Sequence, residues 1–162
     1  MSIKNFRAIV LSVSAVLILS LVSCHPEAKL EKQEKENIQT YLTDNSNLNF
    51  VKRPSGLYYL EVKAGTGLSP VKGDSAFVKY TGMLLDGYVF DSNVSSGTLL
   101  GFEVGDMIEG FNEGITLMKV GGKSTLLIPS KLAYGTTGRY PYISGYTPLL
   151  FDIELVRVVP QK

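Results

Sequence analysis

The stretch 78–92 carries the side chains whose types and spacing most directly suggest chemistry. Phe90 and Asp91 place an aromatic ring beside a carboxylate, and the residues around them read as strand, turn and strand. The first strand, which contains Tyr80, alternates apolar and polar residues as a half-buried strand does. Asp86-Gly87 predicts a type I′ turn after it. The sequence therefore predicts a β-hairpin whose second strand bears an aromatic and acidic pair.

Several kinds of catalysis are excluded by composition. The 162-residue chain has one cysteine, Cys24, and one histidine, His25, adjacent to each other and far from the predicted hairpin. A Ser-His-Asp or Cys-His arrangement and a His- or Cys-rich zinc site are therefore excluded from the globular part. The formal charge is +1 and no long basic stretch is present, which argues against nucleic-acid binding. Any chemistry has to proceed without a thiol, an imidazole or a metal.

The N-terminal residues resemble an export signal followed by a lipidation site. Lys4 and Arg7 precede an apolar run of about 15 residues, too short for a bilayer span of about 20. The sequence from Leu21 to Cys24, Leu-Val-Ser-Cys, then resembles a bacterial lipobox. The resemblance implies that residues 1–23 are a signal peptide removed before a lipidated Cys24. The alternative is an uncleaved anchor with an incidental cysteine.

Lipidation at Cys24 predicts a protein anchored in the cell envelope. Several acyl chains on one residue hold a protein stably on a membrane, whereas one chain does not. The next residue is His25 rather than Asp, which favours the outer membrane over the inner and leaves the domain in the periplasm or at the cell surface. Residues 24–48 are expected to form a polar tether, in which Glu27 to Tyr41 can form a solvated helix. The alternative is a dimerising or partner-binding helix.

The remaining residues, 49–162, predict one α+β domain. Its expected architecture is an antiparallel sheet of five to six strands wrapped around one short helix. The helix begins near Asp106, the expected N-cap, with Glu109 completing a capping box. Gly110 and Gly114 would each weaken this helix by about 1 kcal/mol, so something is expected to pack closely against its backbone. In the last strand, 149–158, alternate residues are apolar and are expected to face the core.

A loop rich in tyrosine and poor in charge separates the last two strands. It runs from Pro129 to Pro148 and contains Ala133-Tyr134-Gly135 and the stretch from Gly138 to Ile143. Loops of about 20 residues without regular structure are usually functional or disordered. The composition of this one predicts a binding loop.

Four motifs in one order resemble those of a known family. The hairpin reads Tyr-Thr-Gly-x-Leu-x-Asp-Gly-x-x-Phe-Asp-Ser, and Glu-Gly-Phe-x-Glu-Gly, Ala-Tyr-Gly and Leu-x-Phe-Asp-x-Glu-Leu follow it. Together they resemble the FKBP-type peptidyl-prolyl cis/trans isomerases, the macrolide-binding immunophilins. The resemblance covers about residues 55 to 159, and four motifs in register are highly specific. It implies the predicted fold, activity on proline-containing polypeptide segments without a cofactor or metal, and binding of macrolide inhibitors.

The resemblance also implies a site. Tyr80, Asp91 and Tyr134 take the catalytic positions: Asp91 holds Tyr80 and polarises the site, and the Tyr134 hydroxyl hydrogen-bonds a substrate carbonyl. Phe111 becomes the floor under the proline ring. The substrate-binding residues as a set are Phe90, Leu100, Met107, Ile108, Phe111, Ile143 and Phe151.

Two departures from the family pattern predict altered activity. The family's floor is most often Trp, whereas here it is Phe111, so the pocket should be deeper and lack an indole N–H. The family's Ile-Pro-Pro is Ile143-Ser144-Gly145 here, which should be less rigid. Both predict a slower isomerase with altered macrolide affinity. They also leave open a non-catalytic envelope chaperone or partner-binding module that uses the same groove.

Overall fold

A computed structural model describes residues 26–162 of the chain. The chain divides after Lys32, and the second unit, residues 33–162, is compact. The predicted signal peptide and the predicted lipidation site at Cys24 lie outside the described residues.

The second unit is built around an antiparallel sheet. The described elements are α1 (Pro26–Asp44), β1 (Val51–Lys52), β2 (Tyr58–Lys63), β3 (Ser75–Leu84), β4 (Val89–Ser92), β5 (Leu100–Glu103), α2 (Glu109–Thr116), β6 (Lys123–Ile128), a 3₁₀ helix (Ser130–Leu132) and β7 (Leu149–Val159). The strand order is β1-β2-β6-β7-β3-β4, and β5 also pairs with β3. The predicted fold class is confirmed, although the described residues form seven strands rather than five or six.

The strand that was not predicted is β1, a two-residue strand that pairs with β2. Elsewhere in the sheet, two short strands share one edge of β3. β5 pairs with the first half of β3, from Ser75 to Val78, and β4 pairs with its second half, from Thr81 to Met83. The other edge of β3 pairs along its whole length with β7. The chain therefore leaves the sheet between β4 and β5 and returns to the same edge.

The inner face of the sheet packs closely against α2, as its two glycines predicted. A Cβ atom at Gly110 would overlap Cγ2 of Ile128, and one at Gly114 would overlap Cδ1 of Leu126. Phe111 and the other buried residues of α2 therefore lie directly on β6 and β7. The glycines weaken the helix locally, but they allow it to approach the sheet more closely than alanine would.

The predicted capping box of α2 is wrong. Ile108, not Asp106, is the N-cap residue, and no side chain caps the helix. Asn112 instead fixes the segment that leads into the helix. Its Oδ1 accepts the Gly105 N–H at 3.0 Å, and its Nδ2 donates to the Met107 carbonyl at 2.5 Å. A side chain from inside the helix thus replaces the expected capping residue.

The predicted type I′ turn is also wrong. A type I′ turn needs positive φ at both central residues, and in this turn only Gly87 has it, at 89°. The Gly87 N–H donates to the Leu84 carbonyl at 3.0 Å, and the Leu84 N–H donates to the Tyr88 carbonyl at 2.9 Å. The connection is therefore a three-residue turn with glycine in the left-handed position, a common alternative for hairpins.

The helix predicted to be a solvated tether packs on the outer face of the sheet. Ile38 of α1 is 6% exposed and lies against Leu127 and Leu150, which are buried on the face opposite α2. Leu127 and Leu150 point outward because side chains alternate along β6 and β7. Side chains of α1 cover them there, together with four residues from outside the helix, namely Phe50, Tyr58, Met83 and Leu85. Within residues 26–162, no helix combines the length and hydropathy that a membrane span requires.

Candidate active site

Four aromatic rings from four elements meet on the inner face of the sheet. Phe111 of α2 lies 5.2 Å from Phe151 of β7, centroid to centroid, with the ring planes at 81°. Phe90 of β4 is 5.7 Å from Phe151 at 82°, and Tyr80 of β3 is 6.4 Å from Phe111 at 85°. These are edge-to-face contacts, the favourable geometry for aromatic pairs. Phe111 is only 1% exposed, so it forms the buried base of the ring cluster.

Most of the other predicted site residues belong to the same apolar core as these rings. One apolar cluster contains the four rings and five further predicted residues, namely Leu100, Met107, Ile108, Tyr134 and Ile143. Asp91 joins the set through a hydrogen bond that it accepts from the Tyr80 hydroxyl. The structure therefore links five predicted residues through direct contacts, namely Tyr80, Phe90, Asp91, Phe111 and Phe151, and places the other five in the same apolar core.

Tyr80 and Asp91 form a short, charge-assisted hydrogen bond at this site. The Tyr80 hydroxyl donates to Oδ2 of Asp91 at 2.6 Å. Burial raises the pKa of Tyr80 well above its usual range, and the hydrogen bond and negative charge of Asp91 raise it further. The phenol is therefore held in its neutral form, with its hydroxyl proton directed at the carboxylate.

The raised pKa of Tyr80 predicts a loss of stability at alkaline pH. Folding favours the neutral phenol, so this stabilisation is complete below about pH 10, the ordinary pKa of tyrosine. Above about pH 10 the unfolded chain releases the proton first, so the free energy of unfolding falls as pH rises towards the folded-state pKa. Urea unfolding from about pH 9 to pH 12 measures this decrease. Asp91→Asn, which removes the negative charge, should make the decrease smaller, and an unchanged slope would contradict the assignment.

A bulge and a glycine allow Phe90 to enter the cluster. Gly82 of β3 pairs with Asp91, and the register shifts at the next residue, which leaves Phe90 as the extra residue of β4. A Cβ atom at Gly82 would lie 2.8 Å from two ring carbons of Phe90 and 2.9 Å from Cε1 of Phe151. Gly82 therefore leaves room for two rings on the inner face of β3.

Arg139, to which the sequence assigns no role, contacts Tyr134. Its Nη1 donates to the Tyr134 hydroxyl oxygen at 3.2 Å, and its guanidinium carbon lies 5.7 Å from the centroid of the Tyr134 ring. Because the hydroxyl oxygen accepts from a cation, its own proton stays available to a substrate carbonyl. Nothing in the sequence pattern marks this pair, since Arg139 is one polar residue in a long loop.

Asn93 is a second residue of the site to which the sequence assigns no role. Its Oδ1 accepts the Tyr80 N–H at 2.8 Å, and its Nδ2 donates to the carbonyls of Val78 at 2.9 Å and Thr98 at 3.0 Å. The side chain thus completes backbone hydrogen bonds of β3 where β4 has ended and β5 has not begun. Asparagine just after a strand is a usable signal, since its side chain commonly bonds to irregular backbone.

The candidate site combines apolar rings with a small number of polar groups. Apolar rings form the base, and two tyrosine hydroxyls and one carboxylate provide the polar groups. Such a surface suits an apolar, ring-shaped group attached to a polar amide, because the ring is removed from water while the amide carbonyl finds a donor.

Comparisons with known proteins agree with the sequence resemblance. The family model for FKBP-type peptidyl-prolyl cis-trans isomerases matches residues 67–156. A probable FKBP-type isomerase FkpA from Neisseria meningitidis is 40% identical over 128 residues, which are 78% of this chain and 47% of the relative. The FKBP-type 22 kDa isomerase of Escherichia coli is 40% identical over 120 residues, 74% of this chain and 58% of the relative. The chain thus spans about half the length of the curated relatives it matches.

Two solved structures are similar along most of the chain. A peptidyl-prolyl cis-trans isomerase from Pseudomonas syringae superposes with a TM-score of 0.74 at 30% identity, covering 84% of this chain and 98% of that one. FkpA from Escherichia coli superposes with a TM-score of 0.70 at 32% identity, covering 99% of this chain and 74% of that one. The matched motifs, the ring cluster and these comparisons together show that the chain belongs to the FKBP-type peptidyl-prolyl cis-trans isomerase family.

Proposed function

We propose that this protein accelerates cis/trans rotation of X-Pro bonds in proline-containing segments of cell-envelope proteins. The observation that carries the proposal is the ring cluster over Phe111, with the Tyr80–Asp91 pair and the Tyr134 hydroxyl at its border. Unfolded chains populate cis prolyl bonds appreciably and exchange them in tens to hundreds of seconds. A catalyst of this rotation therefore has a purpose wherever exported chains fold.

The barrier to rotation explains why an apolar site suffices. Resonance gives the C–N bond partial double-bond character, and rotation costs about 18–20 kcal/mol. The twisted amide at the transition state has lost this resonance and has less charge separation than the planar amide. A site that excludes water therefore binds the twisted form better than the planar one, and this difference in binding lowers the barrier.

Each proposed residue has a part in this differential binding. Phe111 and its neighbouring rings receive the pyrrolidine ring of the substrate. The Tyr134 hydroxyl, oriented by Arg139, donates to a substrate carbonyl and holds the peptide in place. Asp91 accepts a hydrogen bond from the Tyr80 hydroxyl and thereby fixes that side chain beside the rings. No covalent bond to the substrate forms or breaks in this scheme.

The test is an isomerisation assay on the purified full-length chain in detergent, with a proline-containing tetrapeptide as substrate. We expect a rate that rises linearly with protein concentration and falls when a macrolide inhibitor is added. A folded sample with no rate above the uncatalysed background would refute the isomerase proposal. Persistent activity at saturating macrolide would refute macrolide binding at this site.

A second candidate function is a chaperone that holds client chains without turnover. Tyr140 and Tyr142, 95% and 62% exposed, stand on the loop that carries Tyr134, and Tyr88 and Val89 are each 50% exposed at the β3–β4 turn. We expect these exposed apolar side chains to contact an extended client chain on either side of a proline. Full restoration of a deletion strain by the Asp91→Ala protein, if that protein is catalytically weak, would favour the chaperone.

The location follows from the proposed lipid anchor at Cys24. Cys24→Ala should block lipidation and processing, because the lipid is attached to that sulfur, whereas Ser23→Ala keeps a small residue before the cysteine and should be processed normally. Mass spectrometry of the mature N-terminus and separation of inner and outer membranes measure both effects. We expect the wild-type protein in the outer-membrane fraction with lipid on Cys24. An unmodified wild-type chain that begins at Met1 would show an uncleaved anchor instead.

A further inference from the structure

Glu34 is a buried carboxylate on a helix whose charged neighbours are exposed. It lies on α1 and is 7% exposed. Its Oε1 accepts the backbone N–H of Ser130 at 2.5 Å, and its Oε2 accepts the Ser130 hydroxyl at 2.7 Å. Removing a carboxylate from water is costly unless hydrogen bonds replace the lost solvent. Both carboxylate oxygens have such a bond, and both bonds go to one residue.

Ser130 is the residue from which the loop bearing Tyr134 begins. It is the first residue of the 3₁₀ helix that follows β6. Its carbonyl oxygen accepts the N–H groups of Ala133 and Gly135, each at 2.8 Å. These two residues flank Tyr134, so the backbone on both sides of that tyrosine is hydrogen-bonded to Ser130. One residue therefore links the Glu34 carboxylate to the position of the Tyr134 side chain.

We propose that Glu34 is a positioning residue for the active site, which acts by holding Ser130 and thereby the Tyr134 hydroxyl. The inference rests on the proposed isomerase function, in which Tyr134 donates to a substrate carbonyl. Without the carboxylate, the buried N–H of Ser130 has no acceptor and can be satisfied only if the turn moves towards water. A displacement of about 1 Å in a group that holds the substrate can cost catalysis up to about a hundredfold. The helix α1 is then part of the enzyme and not only a spacer.

The experiment compares two substitutions on the same helix in the full-length chain in detergent. Glu34→Ala removes the contact with Ser130, and Ile38→Ala, one turn along, removes a side chain of similar burial that lies against Leu127 and Leu150 instead. Both should lower stability. At a temperature where circular dichroism shows both variants folded, we expect kcat/KM to fall about tenfold for Glu34→Ala and less than twofold for Ile38→Ala.

A conservative substitution separates positioning from the effect of charge. In Glu34→Gln the amide oxygen can still accept the Ser130 N–H, and the Ser130 hydroxyl can accept from the amide nitrogen. We therefore expect Glu34→Gln to keep kcat/KM within about twofold of the wild type. Equal losses in Glu34→Ala and Ile38→Ala would reduce Glu34 to a general stabilising contact and overturn the proposal.

Combining the Glu34 substitution with one at Tyr134 gives a measurement that a purely structural role of Glu34 would not affect. If Glu34 acts through that hydroxyl, Glu34→Ala should reduce kcat/KM less than about twofold in a Tyr134→Phe background, whereas independent effects would multiply. The amide NMR signals of Ala133 and Gly135 should shift in Glu34→Ala but not in Ile38→Ala. Unshifted signals would overturn the proposal. If the wild type were inactive, the isomerase proposal would fail, but the NMR comparison would still decide whether Glu34 positions this loop.

Discussion

Phe111→Ala is expected to lower the free energy of unfolding by about 3–5 kcal/mol and kcat/KM by about a hundredfold. Phe111 is 1% exposed and makes edge-to-face contacts with Tyr80, Phe102 and Phe151. Its removal leaves a cavity beneath three rings, which then lose the surface that fixes their positions. The measurements are urea unfolding and the isomerisation assay at a temperature where the variant remains folded.

Leu127→Ala is the matched control for this substitution. Leu127 is fully buried but lies on the opposite face of the sheet, against Ile38 of α1. We expect it to lose about 2–5 kcal/mol of stability while the folded fraction keeps its kcat/KM. If Phe111→Ala lost stability but kept wild-type kcat/KM, Phe111 would be a core residue and not the floor of the site.

Asp91→Ala should lower the activity while it leaves the stability nearly unchanged. The carboxylate is exposed, so water can replace much of what it loses, and we expect a change in stability of about 1 kcal/mol or less. The 2.6 Å bond from the Tyr80 hydroxyl disappears, which frees that ring and removes the negative charge beside it. Because a small displacement of a group that contacts the substrate lowers the rate strongly, kcat/KM should fall at least about tenfold.

Asp152→Ala tests whether any lost carboxylate would have this effect. Asp152 is also exposed and also accepts a 2.6 Å hydrogen bond, from the Thr125 hydroxyl, but it points away from the ring cluster. Its replacement should leave kcat/KM unchanged. Equal losses in the two variants would indicate a general electrostatic effect, and full activity of Asp91→Ala would remove Asp91 from the proposed mechanism.

The elements of the domain were predictable because their signals are local. Alternation along the last strand predicted that Leu149, Phe151, Ile153 and Leu155 would be buried, and they are. The two glycines of α2 predicted a close approach to the helix, and Ile128 and Leu126 make it. In each case the evidence lay within a few neighbouring residues and depended on the spacing of side chains along a regular element.

The predictions of the helix cap and of the hairpin turn were wrong because each local sequence is compatible with two structures of similar energy. Asp106 has the right chemistry for an N-cap, but the helix starts later and Asn112 holds its approach instead. Asp86-Gly87 is compatible both with a type I′ turn and with the three-residue turn that forms. Turn and cap types of similar energy are chosen by the paths of the flanking segments, which local sequence does not specify.

By itself the sequence determined the family, through its motifs, and the fold class, through the alternation along its strands. The ten residues of the candidate site remain a prediction that follows from the family resemblance. The tertiary structure alone decided that α1 packs on the sheet, that Asn93 holds the backbone of Tyr80 and that Glu34 binds Ser130. Glu34 and Ser130 are 96 positions apart. No periodic pattern relates such residues, since they meet only after β6, the loop that follows it and the N-terminal helix have packed together.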